Sequence, residues 1–432
     1  MNTRVTGLRS RWERFVSLTL AALVVFAAPI AASEDEPSEA ERLMQLLRDA
    51  TEAEQIDPPQ LMRSLSEFSP DVIPILFAVL DTGIIPSGET ATLLAEDIRG
   101  AVWGAFAAYP PVAIRAHVAK FADAKYKERT RLNALKLLGG VGDVDDLVLI
   151  GQLAAPTGSS PTDSVRVPFG YAIAKIFERD PGAVMRVRRL YQNCHASLRP
   201  KLLERISRAN TTEKLAVLSG LLSLAPESDS YVLRSIGDLA SSGRGTTDEY
   251  VCGNVRAFLF SHDHFLVQAA AQTLGALRDE GAIEQLIGLL REDNPRTKPV
   301  ALNALVSITA HNFGANAEAW QIWYDEEKRW WRNEASRVFD DLRQPNPGRV
   351  AAAIQLVSMH SLYREELATA LLTVLDRDEP SLRRMACITL GNLGAEGARA
   401  GLQELLDDPD EDVRAAAKAA VSRLTFRIIP RH

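Results

Sequence analysis

Two short stretches hold residue types that could do chemistry. His262-Asp263-His264 sets two imidazoles in an HxH spacing, enough for two of the four ligands a zinc ion needs. No third ligand of defined spacing accompanies it, and Asp263 stands where a helix N-cap is expected. Asn193-Cys194-His195 sets a thiol beside a base. Neighbours on a helix point roughly 100° apart, and a nucleophile usually meets its base from a distant part of the chain. The chain has no Gly-rich phosphate loop, no GxSxG and no HExxH. No catalytic, metal-binding or cofactor-binding residue is therefore assigned, and no cofactor is expected.

A third stretch is aromatic. WQIWYDEEKRWW, Trp320 to Trp331, holds four of the six tryptophans. On one helix, Trp320, Trp323, Tyr324, Trp331, Ala335, Val338 and Leu342 share a stripe about 120° wide. Trp330 falls at its edge, and Glu327 and Glu334 fall inside it. Such a stripe needs a cover. One reading packs it on the flank of the surrounding structure, with HNFG and QPNPG as the flanking turns. The other makes Trp330 and Glu327 part of an exposed aromatic anchor for a partner. Packing is the preferred reading.

The surrounding structure is a repeat. VQAAAQTLGALRDEGAIEQLIGLLRED (267–293) lies without a gap on RRMACITLGNLGAEGARAGLQELLDDP (383–409) at a shift of 116. Ala270 falls on Ala386, Leu274 on Leu390, Gly281 on Gly397, Leu286 on Leu402 and Leu290 on Leu406. Each copy is followed 31 residues later by another first half, Leu274 leading to Leu305 and Leu390 to Val421. A weaker copy at 131–153 matches at 136, and another at 349–378 matches the C-terminal one at 34, with a longer turn. In ALKLLGGVGD the glycines are expected to cap a helix. Apolar residues recur at helical spacing in two halves of each unit, and Asp, Asn or Pro then starts the next. One helix pair cannot bury its stripe alone, so the pairs must stack. The predicted fold is all-α, an α-solenoid of antiparallel helix pairs with one Trp-rich insert.

DEDVRAAAKAAVSRL and TLGNLGAEGARAGLQELLDDPDEDVR resemble short-period HEAT repeats of the phycobilisome-lyase type. The resemblance is strong over 263–309 and 349–425 and weaker at 128–155. It implies a stacked superhelix whose second helices line the concave face, which places Glu284, Gly288, Arg291, Arg399 and Gln403 there. HEAT-type metal hydroxylases carry repeated His–Glu dipeptides, and this chain has none.

Residues 1–32 stand apart. Arg4, Arg9, Arg11 and Arg14 precede an uncharged apolar run, Phe15–Ala32, followed by SEDEPSEAE, the order of features in a secretory signal peptide. An uncleaved anchor is the alternative, since 18 residues is the short limit for a spanning helix. The organisation expected is 1–32 signal peptide, 33–40 acidic linker, 41–262 degenerate helical repeats, 263–308 HEAT-like repeats, 309–348 insert, 349–426 HEAT-like repeats and 427–432 tail. Four Arg and one Glu leave with the signal, so a net charge of −7 becomes −10. That balance argues against nucleic acid and anionic membrane as partners. Three widely spaced cysteines, Cys194, Cys252 and Cys387, make no disulfide framework, although one bridge between the first two stays open.

The function expected is a non-catalytic, exported scaffold in the periplasm or cell envelope that binds a protein partner through Trp330, Glu327, Glu284, Arg291, Arg399 and Gln403. A solenoid enzyme of lyase or isomerase type is the alternative. If the signal is cleaved, N-terminal sequencing of mature protein should begin between about residues 30 and 36. Intact Met1 in a membrane fraction would mean an anchor instead.

Overall fold

The computed structural model describes residues 37–426 apart from 54, 88–89, 158, 244–247 and 293. The signal segment, the start of the acidic linker and the tail at 427–432 lie outside the described residues. Two compact units divide the chain, Met1–Arg205 and Ile206–His432. Both are built from helix pairs, the α-solenoid expected. No helix among the described residues is long and apolar enough to cross a membrane.

The first unit runs α1 (Glu39–Glu52), α2 (Pro58–Ser66), α3 (Ile73–Thr82), α4 (Glu96–Ala105), α5 (Pro111–Val118), α6 (Glu128–Val141), α7 (Leu147–Ala154), α8 (Asp163–Arg179), α9 (Arg188–Asn193) and α10 (Arg199–Arg208), within which the unit boundary falls. It also holds a small exception to the all-helical reading. Strands β1 (Ile84–Ser87) and β2 (Thr90–Leu93) pair antiparallel, Ile84 opposite Leu93. Gly83 ends α3 in the left-handed conformation and Pro86 cannot extend a helix, so the chain leaves helix there. Ile85 then buries its side chain while Leu93 stays exposed.

The second unit contains α11 (Lys214–Ser219), α12 (Asp229–Ser241), α13 (Glu249–Arg256), α14 (His264–Leu277), α15 (Ile283–Arg291), α16 (Lys298–Thr309), α17 (Ala317–Asn333), α18 (Ala335–Leu342), α19 (Pro347–Ser358), α20 (Arg364–Leu372), α21 (Pro380–Leu393), α22 (Arg399–Glu404) and α23 (Glu411–Phe426). First helices stack on first helices, α12 on α14 on α16, then α19 on α21 on α23. Turn chemistry sets the starts. The Asp263 carboxylate accepts from Phe265 N–H, Asn346 accepts from Arg349 N–H ahead of Pro347, and Asp410 accepts from Asp412 N–H.

The stacking distance is set by glycine against alanine. A Cβ on Gly391 in α21 would lie 2.9 Å from Ala420 Cα in α23, and one on Gly275 in α14 would lie 3.0 Å from Ala304 Cα in α16. Gly139 of α6 meets Ala172 of α8 in the same way, so it is a contact residue inside a helix rather than the cap expected. Gly142 is the C-cap.

The 116-residue alignment places Leu274, Leu286, Leu390 and Leu402 in the core, all fully buried. It fails at one pair. Leu290 is buried but Leu406 is 37% exposed, because α22 ends at Glu404 and tightens into a 3₁₀ turn, which turns Leu406 outward. The match at 34 also needs correction. Pro347 and Pro380 both open first helices, a shift of 33, and Val357 then takes the core place of Leu390. The second helices match at 31: left-handed Tyr363 falls on left-handed Gly394, and the fully buried Leu367 and Leu371 fall on Ala398 and Leu402, so the turn of the 349–378 copy is two residues longer.

Gly391→Val should therefore destabilise the second unit by about 2–3 kcal/mol, since overpacking here must push two backbones apart. Gly288 lies inside α15 with open space where a Cβ would go. Gly288→Ala should stabilise by about 0.5–1 kcal/mol. Chemical denaturation of both variants checks the pair; a neutral Gly391→Val would contradict the close approach.

Candidate functional site

The Trp-rich segment is two helices, not one. Helix α17 ends at Asn333 and α18 begins at Ala335, with Glu334 between them distorted to φ −118°, ψ −32°, so the stripe drawn through Ala335, Val338 and Leu342 is not carried on one helix. Helix α17 packs on α15, the second helix of the preceding pair, and α18 packs on α19. Trp320 is fully buried, and its Nε1–H donates to Gly314 O at 2.8 Å. Phe313 meets it edge-on with centroids 4.9 Å apart, and His311 lies 5.0 Å from Trp323. The HNFG turn is thus folded around the first two tryptophans.

The other two tryptophans sit against the α19–α20 turn. Trp330 stacks on His360 with centroids 3.6 Å apart, and Trp331 stacks on Tyr363 at 4.1 Å. Both tryptophans are half-buried. Glu327 is buried, and its Oε1 lies 3.0 Å from His360 Nδ1 while Oε2 has no hydrogen-bond partner among the described residues. Glu327 thus pairs with a histidine, and Glu334 is exposed. Burial pushes the Tyr363 phenol above its ordinary range, as it does Tyr324.

The remaining partner-facing positions scatter. Glu284 and Gln403 are exposed. Arg291 donates to Gln321 Oε1 of α17 at 2.9 Å, and Arg399 pairs with Glu396 at 2.9 Å. The structure does not gather these four and Trp330 into one site.

Carboxylates and guanidiniums link successive turns. Glu280 accepts from Tyr363 N–H at 2.6 Å and pairs with Arg364 at 2.7 Å. Glu365 accepts from the Glu396 and Gly397 N–H groups at 3.1 and 3.2 Å. Each acid thus serves the start of a later second helix, where unpaired N–H groups attract negative charge. Arg364 donates to Ile308 O at the end of α16, and Arg278 donates to Leu393 O and Gly394 O at the end of α21.

Between these turns lies a cavity of about 170 Å³, at the ends of α14, α16, α19 and α21. Arg278, His311, His360, Ser361 and Asn392 are among its lining residues. Arg278 and Ala310 in its wall have left-handed backbone, as has Tyr363 at the start of α20, although none is glycine. Each such residue costs of order 1–2 kcal/mol. A second, wider depression of about 620 Å³ is open to solvent and lined by Asp376, Asp378, Arg383, Asp408 and Asp410. Its Arg383 forks onto Asp408 at 2.8 and 2.9 Å and holds that carboxyl below its ordinary range.

The HDH and NCH stretches fold as local structure. Asp263 caps α14, and His264 Nδ1 lies 3.1 Å from Asn294 Nδ2. His195 Nδ1 accepts from Ser197 N–H, and burial pushes the Cys194 thiol up to about 11. All three cysteines are free and buried, so the Cys194–Cys252 bridge is not formed. No group of three or more His, Cys, Asp or Glu that could hold a metal occurs among the described residues. Sequence reasoning missed the flanks of the HDH turn. Phe260 and Phe265 are 73% and 69% exposed on either side of it, and FSHDHF was the available signal.

Residues 342–422 match the family described as HEAT repeats. The chain carries HEAT repeats. No curated protein sequence matches the chain. Among solved structures, it is similar to an engineered protein, at 16% identity over 90% of this chain and 99% of that one (TM-score 0.24). It is also similar to the karyopherin Kap121p bound to the SUMO protease Ulp1p, at 13% identity over 91% of this chain (TM-score 0.32), and spans only 42% of that chain. Human deoxyhypusine hydroxylase in complex with glycerol is similar at 15% identity over 65% of this chain and 96% of that one (TM-score 0.23). The HEAT match ends at 422 and begins inside α18, so it takes in α19 to α23 but not the aromatic helix α17.

Depth of burial orders the tryptophans. Trp320→Ala should cost about 3–5 kcal/mol, the range for large aromatic truncations in cores. Trp330→Ala removes a half-exposed stack and should cost about 1–2 kcal/mol. Urea denaturation of the two variants checks the order, and a reversed order would place the cluster's core elsewhere.

Proposed function

We propose that the protein is an exported scaffold of the cell envelope whose HEAT repeats bind a protein partner without catalysing a reaction. The signal-like order of residues 1–32 supports export. The observation that carries the binding reading is the exposed pair Phe260 and Phe265. Leaving one phenylalanine in water forgoes about 1.5–3 kcal/mol of burial, and two on one turn offer an anchor that a partner's pocket could cover. Glu284 and Gln403, exposed on second helices, and Arg291 and Arg399, held by Gln321 and Glu396, are not part of that anchor. Trp330 and Glu327 hold the α19–α20 turn in shape.

The test is a Phe260→Ser/Phe265→Ser double variant expressed with its native leader. Stability should stay within about 0.5 kcal/mol of the parent, as for exposed positions, while a partner crosslinked in the envelope fraction is lost. A partner retained at full yield, or a large fall in stability, would reject these residues as the anchor.

A further inference from the structure

The cavity at the ends of α14, α16, α19 and α21 supports an inference separate from the scaffold reading. Its walls hold no carboxylate, in a chain whose net charge is −7. They hold instead the guanidinium of Arg278, the imidazoles of His311 and His360, the Ser361 hydroxyl and the Asn392 amide.

Two of these features cost the fold something. Arg278 ends α14 in left-handed backbone, φ +57°, at the position where the sister repeat has Gly394. Only glycine adopts that conformation freely, and such outliers concentrate where they are used. Ser361 Oγ is buried with no hydrogen-bond partner among the described residues, an arrangement that is disfavoured unless something else supplies the bond. Two further groups are oriented. Asn392 gives Oδ1 to Arg423, which leaves its amide hydrogens to donate elsewhere. His360 gives its Nδ1 edge to Glu327, and Glu327 itself does not line the cavity.

The backbone pulls the other way, because helix C-termini bring partial negative charge. Arg278 and Arg364 answer it through Leu393 O, Gly394 O and Ile308 O. What the side chains then offer is a set of donors around one cation. We propose that this cavity binds a small oxyanion, a carboxylate or phosphate group on a molecule of about six non-hydrogen atoms, with Arg278 as charge partner and Ser361 as hydrogen-bond donor. The size follows from the 170 Å³ of space, room for about five or six waters at ~30 Å³ each.

The experiment is calorimetric titration of the full chain with inorganic phosphate and, in parallel, with acetate, each against sodium chloride of matched ionic strength. Saturable binding of at least one anion is expected; phosphate alone would point to a phosphate group, acetate to a carboxylate. Arg278→Gly installs the sister repeat's own residue, so the backbone should hold its shape while affinity falls at least tenfold. Ser361→Ala should weaken binding about fivefold. No saturable binding of either anion overturns the proposal, and so does unchanged affinity in a folded Arg278→Gly. Should Arg278→Gly not fold, Ser361→Ala decides alone, and unchanged affinity there overturns it.

Discussion

The structure of each unit depends on how near two first helices can come. Gly391 facing the backbone of Ala420, and Gly275 facing that of Ala304, bring successive helices to the distance at which dispersion contacts along both are made. Leucines one position earlier, Leu390 and Leu274, then fill the space on either side and are fully buried. Around the Gly391 contact the core is continuous from Val338 to Leu424. Widen that gap by one methyl group and every layer behind it loses packing at once.

Close stacking brings helix ends together, and helix ends carry unpaired backbone groups. Several charged side chains serve them. Arg179 donates to the carbonyls of Gly139 and Gly142, Arg377 to those of Leu342 and Gln344, and Arg364 to that of Ile308. Glu280 and Glu365 supply the opposite charge to second-helix starts. Exposed ion pairs contribute little to stability, whereas charges hydrogen-bonded to buried backbone count for more. In the second unit the acid-free cavity lies where the ends of α14, α16, α19 and α21 meet, and Arg278 and Ala310 in its wall have left-handed backbone.

Much of this was legible beforehand. The helix pairs, the core leucines and the Asp263 cap follow from periodicity and turn chemistry, because those signals are local. The glycine contact was also on the page, as LG in LLGGV, TLGAL and TLGNL, but a glycine near a helix end reads as a cap until its neighbour is known. The β-hairpin was hidden by its shortness, and the break at Glu334 by the absence of Pro or Gly there. The offset of 34 missed the first helices by one residue, because it set Leu356 on Leu390, whereas Val357 is the buried one and Leu356 is exposed. The cavity could not be read at all, since Arg278, His360 and Asn392 meet only through the fold.

The bonds from Arg278 to Leu393 and Gly394 join positions 115 and 116 residues apart. In an ideal repeat array each unit answers only to its neighbours, and stability is a sum of local terms. Here the first of these pairs also answers to one well beyond the next. Modules of this stretch are therefore not interchangeable parts. Excising or duplicating a repeat between Leu277 and Leu393 would move one end of that link, so the segment has to evolve, and to be engineered, as a block.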